Sequence, residues 1–311
     1  MKRVVGILLA CCMLFAACGK KDVHLATGGN TGTYYAYGTA IAKILEEKTG
    51  IGFTVESTGA SKANIQLIAS GDAQMAIVQN DVMAYAYEGT DLFAGEKSQD
   101  FLAMAGLYTE VCQIVARSGS GITSIEDLRG KRVSVGDAGS GVEFNAKQIL
   151  SAYGISFDDI TKQNLSFGAS AEAIKNNQID AFFCTAGAPT TAISELATTN
   201  AITVLEVDEA HATKLQGDYP FYVRFPIPAG TYNGVTEEKW TVAVLATLIV
   251  SKSLSTDTVY KLTKALFENQ ADILTAHAKG AELNATDAVK GINVPFHAGA
   301  EKYYKEIGVL K

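Results

Sequence analysis

Short apolar strands break off into glycine-, serine- and threonine-rich turns and run straight into helices at several points along this chain of 311 residues. Residues 53–56 lead into "STGASKANIQLIASG", with a helix expected near residues 61–69 and a stop at Gly71. Residues 75–78 pass through "QND" into residues 82–87. Residues 132–135 pass through "GDAGSG" into a helix over residues 142–153, closed by Gly154. Residues 181–183 pass through "CTAGAP" into residues 190–197. Strands alternating with helices at this rhythm predict an α/β architecture with largely parallel sheets. Such sheets hold ligands at the carboxyl ends of their strands.

Two β-rich stretches interrupt the rhythm, residues 101–119 and 239–254. Each exceeds a mean strand of about 5–6 residues, and each has the length to pass from one domain to another. A chain that crosses out near residue 110 and back near residue 235 makes two lobes joined by a double-stranded hinge. Lobe I is expected over residues 18–111 and 236–311, and lobe II over residues 112–235. With 48% of its residues hydrophobic, the chain can fill two cores.

The turns are where chemistry is expected. A helix start exposes unpaired amides and a partial positive charge, and glycine lets a ligand reach that backbone. The first turn lies in "ATGGNTGTYYAYG", residues 26–38. It is not G-x-G-x-x-G, since residues 28–33 read GGNTGT, and no Gly-Lys-Ser/Thr follows. The second, "GDAGSGVEF" (residues 136–144), repeats the design. Ser140 and Glu143 form S-x-x-E, which reads as a capping box, as a contact to an acid group, or as both. Ala138 stands where G-x-S-x-G needs its first glycine, which argues against a serine hydrolase. The third turn, "FFCTAGAPT" (residues 182–190), carries Pro189 near a helix start. Three helix N-termini, two from lobe II and one from lobe I, are expected to converge on a small anion with more than one acid group. Of Tyr34 and Tyr35, in the first turn of a helix, one can face the cleft while the other packs.

The net charge of −7 argues against a nucleic-acid partner. Residues 1–17 hold Lys2 and Arg3, then an apolar run too short for a bilayer. They read as a signal peptide. The Ala-Ala-Cys-Gly around Cys18 resembles the lipobox of bacterial lipoproteins, in which the cysteine is lipidated and anchors the protein to a membrane; an ordinary cleavable signal is the other reading. Both place the mature chain outside the cytoplasm. Cys112 and Cys184 lie in apolar stretches, either as a disulfide or as two buried thiols. His24, His211, His277 and His297 show no metal-ligand spacing, and none lies beside the glycine turns, so no metal, cofactor or enzymatic activity is expected.

"TGGNTGTYYAYG", "LIASGDAQMAIVQNDV", "GITSIEDLRGKRVSVGDAGSGVEFNAKQIL", "NNQIDAFFCTAGAPT", "IPAGTYNG" and "LTKALFEN" stand in this order. They closely resemble the TAXI family, extracytoplasmic solute receptors of tripartite ATP-independent periplasmic (TRAP) transporters. The resemblance covers roughly residues 24–308. It implies a two-lobed, periplasmic-binding-protein-like fold of type II with an interlobe cleft. It implies capture of glutamate, glutamine or a related C5 acid such as 2-oxoglutarate, and delivery to an ion-gradient-driven TRAP permease. A sensing lipoprotein with the same fold is the alternative. The family's binding features map onto Thr31, Gly32, Thr33 and Tyr34, onto Gln79, onto Gly139, Ser140 and Gly141, and onto Phe183, Thr185, Ala186 and Gly187. No arginine stands in these turns, so backbone amides and hydroxyls are expected to hold the acid groups.

Overall fold

A computed structural model of the protein describes residues 22–311. The expected signal peptide and Cys18 lie outside the described residues. Among these, ten strands join in one connected sheet: β1 (Val23–Ala26), β2 (Phe53–Glu56), β3 (Met75–Gln79), β4 (Phe101–Arg117), β5 (Arg132–Ser134), β6 (Thr161–Gln163), β7 (Ala181–Ala186), β8 (Ile202–Leu205), β9 (Val223–Ile227) and β10 (Lys239–Ser251). The main order is β2-β1-β3-β10-β4-β7-β5-β6, with β8 beside β4 and β9 beside β10. Every residue of β3 and β7 is buried. Both faces are therefore covered, which explains their unbroken apolar runs.

β1 pairs in parallel with β2 and β3, and β5 in parallel with β6 and β7. The sheet as a whole is mixed, not largely parallel, because β4 and β10 run antiparallel to their neighbours. A chain that leaves one half and returns must travel in opposite directions. Each long stretch is one continuous strand. At roughly 3.3 Å per residue, the 17 residues of β4 reach about 56 Å, enough to serve both halves. Val111 is the hand-over point: it pairs with Ala243 on β10 and with Ala186 on β7. Beyond it β4 bonds to β7 and β8.

The apolar clusters divide along the same line. Two draw almost wholly on residues 23–108 and 246–304, and two on residues 111–244. In the first half, α1 (Thr33–Thr49) buries Tyr34, Tyr37, Ile41 and Leu45 at spacings of three and four, then ends at Gly50 in the left-handed region at φ 67°. α2 (Ser61–Ser70) and α3 (Asn80–Glu88) cover the opposite sheet face through Ile65, Ile68, Val82 and Met83. In the second half, α4 (Gly141–Ala152) contributes Ile149 and Leu150 to one core. α5 (Phe167–Lys175) and α6 (Thr191–Thr199) contribute Ile174, Ile193 and Leu196 to the other. α7 (Glu209–Asp218) adds Leu215 beside α4. α8 (Thr256–Glu268), α9 (Gln270–Ala276) and α10 (Ala298–Glu306) return to pack Leu262, Leu266, Ile273 and Tyr304 against α1 and its sheet face. Each such side chain stabilises by about 1.5–3 kcal/mol.

Cys112 and Cys184 are two buried free thiols. They sit on adjacent strands one register step apart, Cys112 opposite Thr185 and Cys184 opposite Gln113. Successive side chains alternate across a sheet, so the two sulfurs enter different cores. No helix among the described residues is long and apolar enough to cross a membrane.

Candidate functional site

A cavity lies where the two halves meet, at the carboxyl ends of β1, β3 and β7. Its walls and mouth together span about 480 Å³, open solvent included. One wall comes from the first half: Gly32, Thr33, Tyr34 and Gln79, joined by Gly28, Gly29, Ala60 and Ser61. The facing wall carries Ser140, Gly141, Thr185 and Ala186, joined by Asp137, Val142 and Phe167. Glu110, on β4, completes the lining.

Eight of the twelve residues expected to bind ligand thus line one cavity, and four are placed elsewhere. Thr31 turns its side chain toward Gly168, whose Cβ position lies 3.2 Å from Oγ1. Gly139 gives its amide to Glu143 Oε2 at 2.7 Å, so that donor is spent inside the turn. Phe183 shares a strand face with Thr185 but lies two residues back along β7, in the apolar core. Gly187 is crowded by Lys279 and Thr33; a Cβ there would lie 2.5 Å from Lys279 Cε. Its carbonyl accepts from Thr33 Oγ1 at 3.5 Å.

Helix starts do converge, but five of them: the N-caps or first residues of α1 (Gly32, Thr33), α2 (Ala60, Ser61), α3 (Gln79), α4 (Ser140, Gly141) and α5 (Phe167) line the cavity. The start of α6 is not among them, a correction to the expected arrangement. At α6 the Thr190 amide donates to Tyr232 Oη at 2.9 Å, and Gln113 Nε2 donates to Thr190 Oγ1 at 2.9 Å. One amide of that end is thus taken by a buried side chain, and no α6 residue lines the cavity. At α4 Ser140 is the N-cap: Oγ accepts from the Glu143 amide at 3.3 Å. The Glu143 carboxylate bonds Gly139 rather than Ser140, so the reciprocal bond sits one residue earlier than a strict capping box. Burial works to raise the Glu143 carboxyl, but the Gly139 amide, Lys162 and Asn164 together hold it below its usual range.

Gly141 has no side chain where the Gln79 amide lies; a Cβ there would stand 2.3 Å from Gln79 Cδ. With its nitrogen turned toward them, that amide donates to Asp81 Oδ1 at 3.2 Å and to the Gly141 carbonyl at 3.3 Å. Tyr34 faces the cavity, as one of the tyrosine pair was expected to do, and donates to Glu110 Oε1 at 2.6 Å.

The electrostatics were not foreseen. Glu110 is fully buried, and burial pushes its carboxyl well above the usual range even with the Tyr34 hydroxyl donating to it. Its Oε2 has no hydrogen-bond partner. Asp137, half-buried in the same wall, is raised by loss of solvent. Behind Gln79, Asp81 is pushed up to about 7 by burial. No lysine, arginine or histidine lines the cavity. The signal for Glu110 was in the sequence: an ionisable residue amid "FLAMAGLYTEVCQIVAR" is costly to bury without a purpose.

A model of the NMT1-like family matches residues 25–308 of the chain. Among solved structures, the chain is similar to PhnD1 of Prochlorococcus marinus in complex with methylphosphonate, at 10% identity and a TM-score of 0.58, covering 94% of this chain and 100% of that one. It is similar to the arginine-, lysine-, histidine-binding protein ArtJ of Geobacillus stearothermophilus, at 10% identity and 0.53, covering 85% and 96%. It is also similar to the alkanesulfonate-binding protein SsuA of Xanthomonas axonopodis pv. citri bound to MOPS, at 16% identity and 0.51, covering 91% and 83%. At these identities the likeness is one of fold: the two-lobed architecture of periplasmic binding proteins.

Proposed function

Because the chain belongs to the NMT1-like family, we propose from that premise that it is an extracytoplasmic solute receptor serving a membrane transporter. The observation that carries this reading is the cavity between the halves, into which helix starts from both halves open. Amides at such starts bind acid groups. A cleft walled by two halves is how a receptor surrounds a small solute and changes shape on taking it. The lobes are residues 18–111 with 236–311, and residues 112–235.

The fold is shared by receptors for phosphonate, sulfonate and basic amino acids, so it does not choose the solute. The finer assignment rests on the six ordered motifs. They support a TAXI-type receptor that hands glutamate, glutamine or a related C5 acid to an ion-gradient-driven TRAP permease. Residues 1–17 would direct export, and a lipid on Cys18 would hold the mature protein at a membrane. Thr31, Gly139, Phe183 and Gly187 act in this reading behind the wall, holding the turns that line it.

The test is mass spectrometry of the small molecule released from gently denatured protein, followed by calorimetry with that molecule. A C5 acid that rebinds supports the reading. Recovery of an unrelated solute, with no heat from glutamate, glutamine or 2-oxoglutarate at millimolar concentration, removes the ligand assignment.

A further inference from the structure

We propose that Glu110 is the seat of a ligand ammonium group, so that the cavity takes a zwitterionic α-amino acid in preference to an oxo acid or dicarboxylate of the same length. The proposal rests on the solute-receptor reading above and adds the chemical class of the solute.

Glu110 lies on β4 next to Val111, where that strand passes from one half to the other. It is completely buried and lines the cavity. Tyr34 occupies Oε1 at 2.6 Å, and Oε2 has no partner at hydrogen-bond distance, although the Gln79 amide and the Lys279 ammonium both draw this carboxyl down. A buried carboxylate oxygen without a donor is rare in folded proteins, because water has been removed and nothing replaces it. A ligand N–H group that arrives at Oε2 supplies the missing donor, and a positive one supplies the missing charge as well.

The rest of the lining narrows the choice. Asp137 is a second acid in the same wall, and the lining has no basic side chain; the Lys279 ammonium, outside the lining, acts on Glu110 but is itself paired with Glu282. A solute with a carboxylate at each end and no cation would bring two negative charges into a cavity that already holds two carboxyl groups. The amides that open α1 and α4 offset one ligand carboxylate at their own end. They do nothing for a second ligand carboxylate placed at Glu110, which meets a like charge whenever Glu110 is ionised. A solute with a carboxylate at the helix starts and an ammonium at Glu110 satisfies both ends. Burial holds the empty Glu110 toward its neutral form, and an adjacent ammonium removes the reason for that shift.

The opposite arrangement is a neutral Glu110 that donates its proton to a ligand carboxylate. It predicts the reverse selectivity and is the outcome that the test excludes.

The experiment is calorimetry on the full chain, freed of bound solute by unfolding and refolding. L-Glutamate, L-glutamine, 2-oxoglutarate and glutarate are the four probes. The last two match L-glutamate in carbon count and lack its amine. In the wild type, the better amino acid should bind about 100-fold more tightly than either amine-free probe. In Glu110→Gln, the amino acids should lose about 30-fold or more, while the amine-free probes change little, so the ratio collapses. Circular dichroism and a melting curve establish that the variant is folded; should it not fold, the wild-type series decides alone. If 2-oxoglutarate or glutarate binds the wild type as tightly as the amino acids do, the receptor reading stands and the ammonium seat is overturned. A folded Glu110→Gln with the wild-type ratio also overturns it. If none of the four probes binds the wild type, the C5 assignment falls and this proposal falls with it.

Discussion

The backbone amide of Lys62 donates to the carbonyl of Gly139 at 3.1 Å, tying the start of α2 in one half of the molecule to the turn before α4 in the other. Other bonds make the same crossing. Asn145 Nδ2 donates to Asp81 Oδ2 at 3.1 Å, and Gln148 Nε2 donates to the Tyr85 hydroxyl at 3.0 Å. Lys147 Nζ lies 3.1 Å from Asp91 Oδ1. These bonds join the halves around the cavity and must break if the halves separate to admit a solute. Ligand-free protein in solution should therefore be more extended than liganded protein. X-ray scattering should record a smaller radius of gyration at saturating L-glutamate, together with a higher melting midpoint. Micromolar binding without compaction would count against closure.

Tyr34→Phe removes one hydroxyl and leaves Glu110 Oε1 buried without its donor. The empty protein should lose about 1–3 kcal/mol of stability, readable from urea midpoints. Binding of L-glutamate should weaken as well, because the carboxyl is no longer held in place. A variant as stable as the wild type would show that Glu110 finds another donor.

Gly141→Ala and Ser140→Ala should part company. The new Cβ at residue 141 falls 2.3 Å from the Gln79 amide, the far end of a flexible side chain, which can swing aside. The fold should survive with a nearly unchanged midpoint, while L-glutamate affinity falls at least about tenfold as the amide is displaced. Ser140→Ala loses the N-cap of α4, which costs about 1 kcal/mol of stability, and a hydroxyl in the cavity wall. It should show both defects, in denaturation and in calorimetry. Wild-type affinity in both variants would place the acid group elsewhere.

Asp81 gives stability a pH slope. Its carboxyl is pushed up to about 7 by burial, with Asp91 adding to the rise and the Val82 amide and Asn145 opposing it. The unfolded chain releases this proton near pH 4, the folded chain only near 7. Between those values the folded state binds more protons, so the contribution of Asp81 falls as pH rises and levels off above 7. At about 1.4 kcal/mol per pH unit, it amounts to as much as roughly 4 kcal/mol across the window. Urea midpoints at pH 4.5, 6 and 7.5 for wild type and Asp81→Asn should show a flatter curve for the variant. Parallel curves would mean that Asp81 ionises normally.

The sequence by itself determined the class of fold and marked the turns among which the cavity lies. Strand–turn–helix alternation is local: each turn's glycines, each cap and each apolar period acts within about ten residues, so "GDAGSGVEF" or "ATGGNTGTYYAYG" can be read without knowing what lies opposite. The two long apolar stretches announced the crossing strands for the same reason. Only the tertiary structure decided which turns face the cavity and with what charge. The start of α6 looks like its fellows in sequence, yet its Thr190 amide is taken by Tyr232, 42 residues away along the chain. Gly139 looks like a free donor until Glu143 folds back onto it. Cys112 and Cys184 differ from a disulfide pair by one step of register, which the strand pairing alone sets. Glu110 reads as a stray charge in a strand until Tyr34 arrives from 76 positions upstream and the cavity opens beside it. Charge in a buried site is a sum over groups brought together from the whole chain, and that sum exists only once the chain has folded.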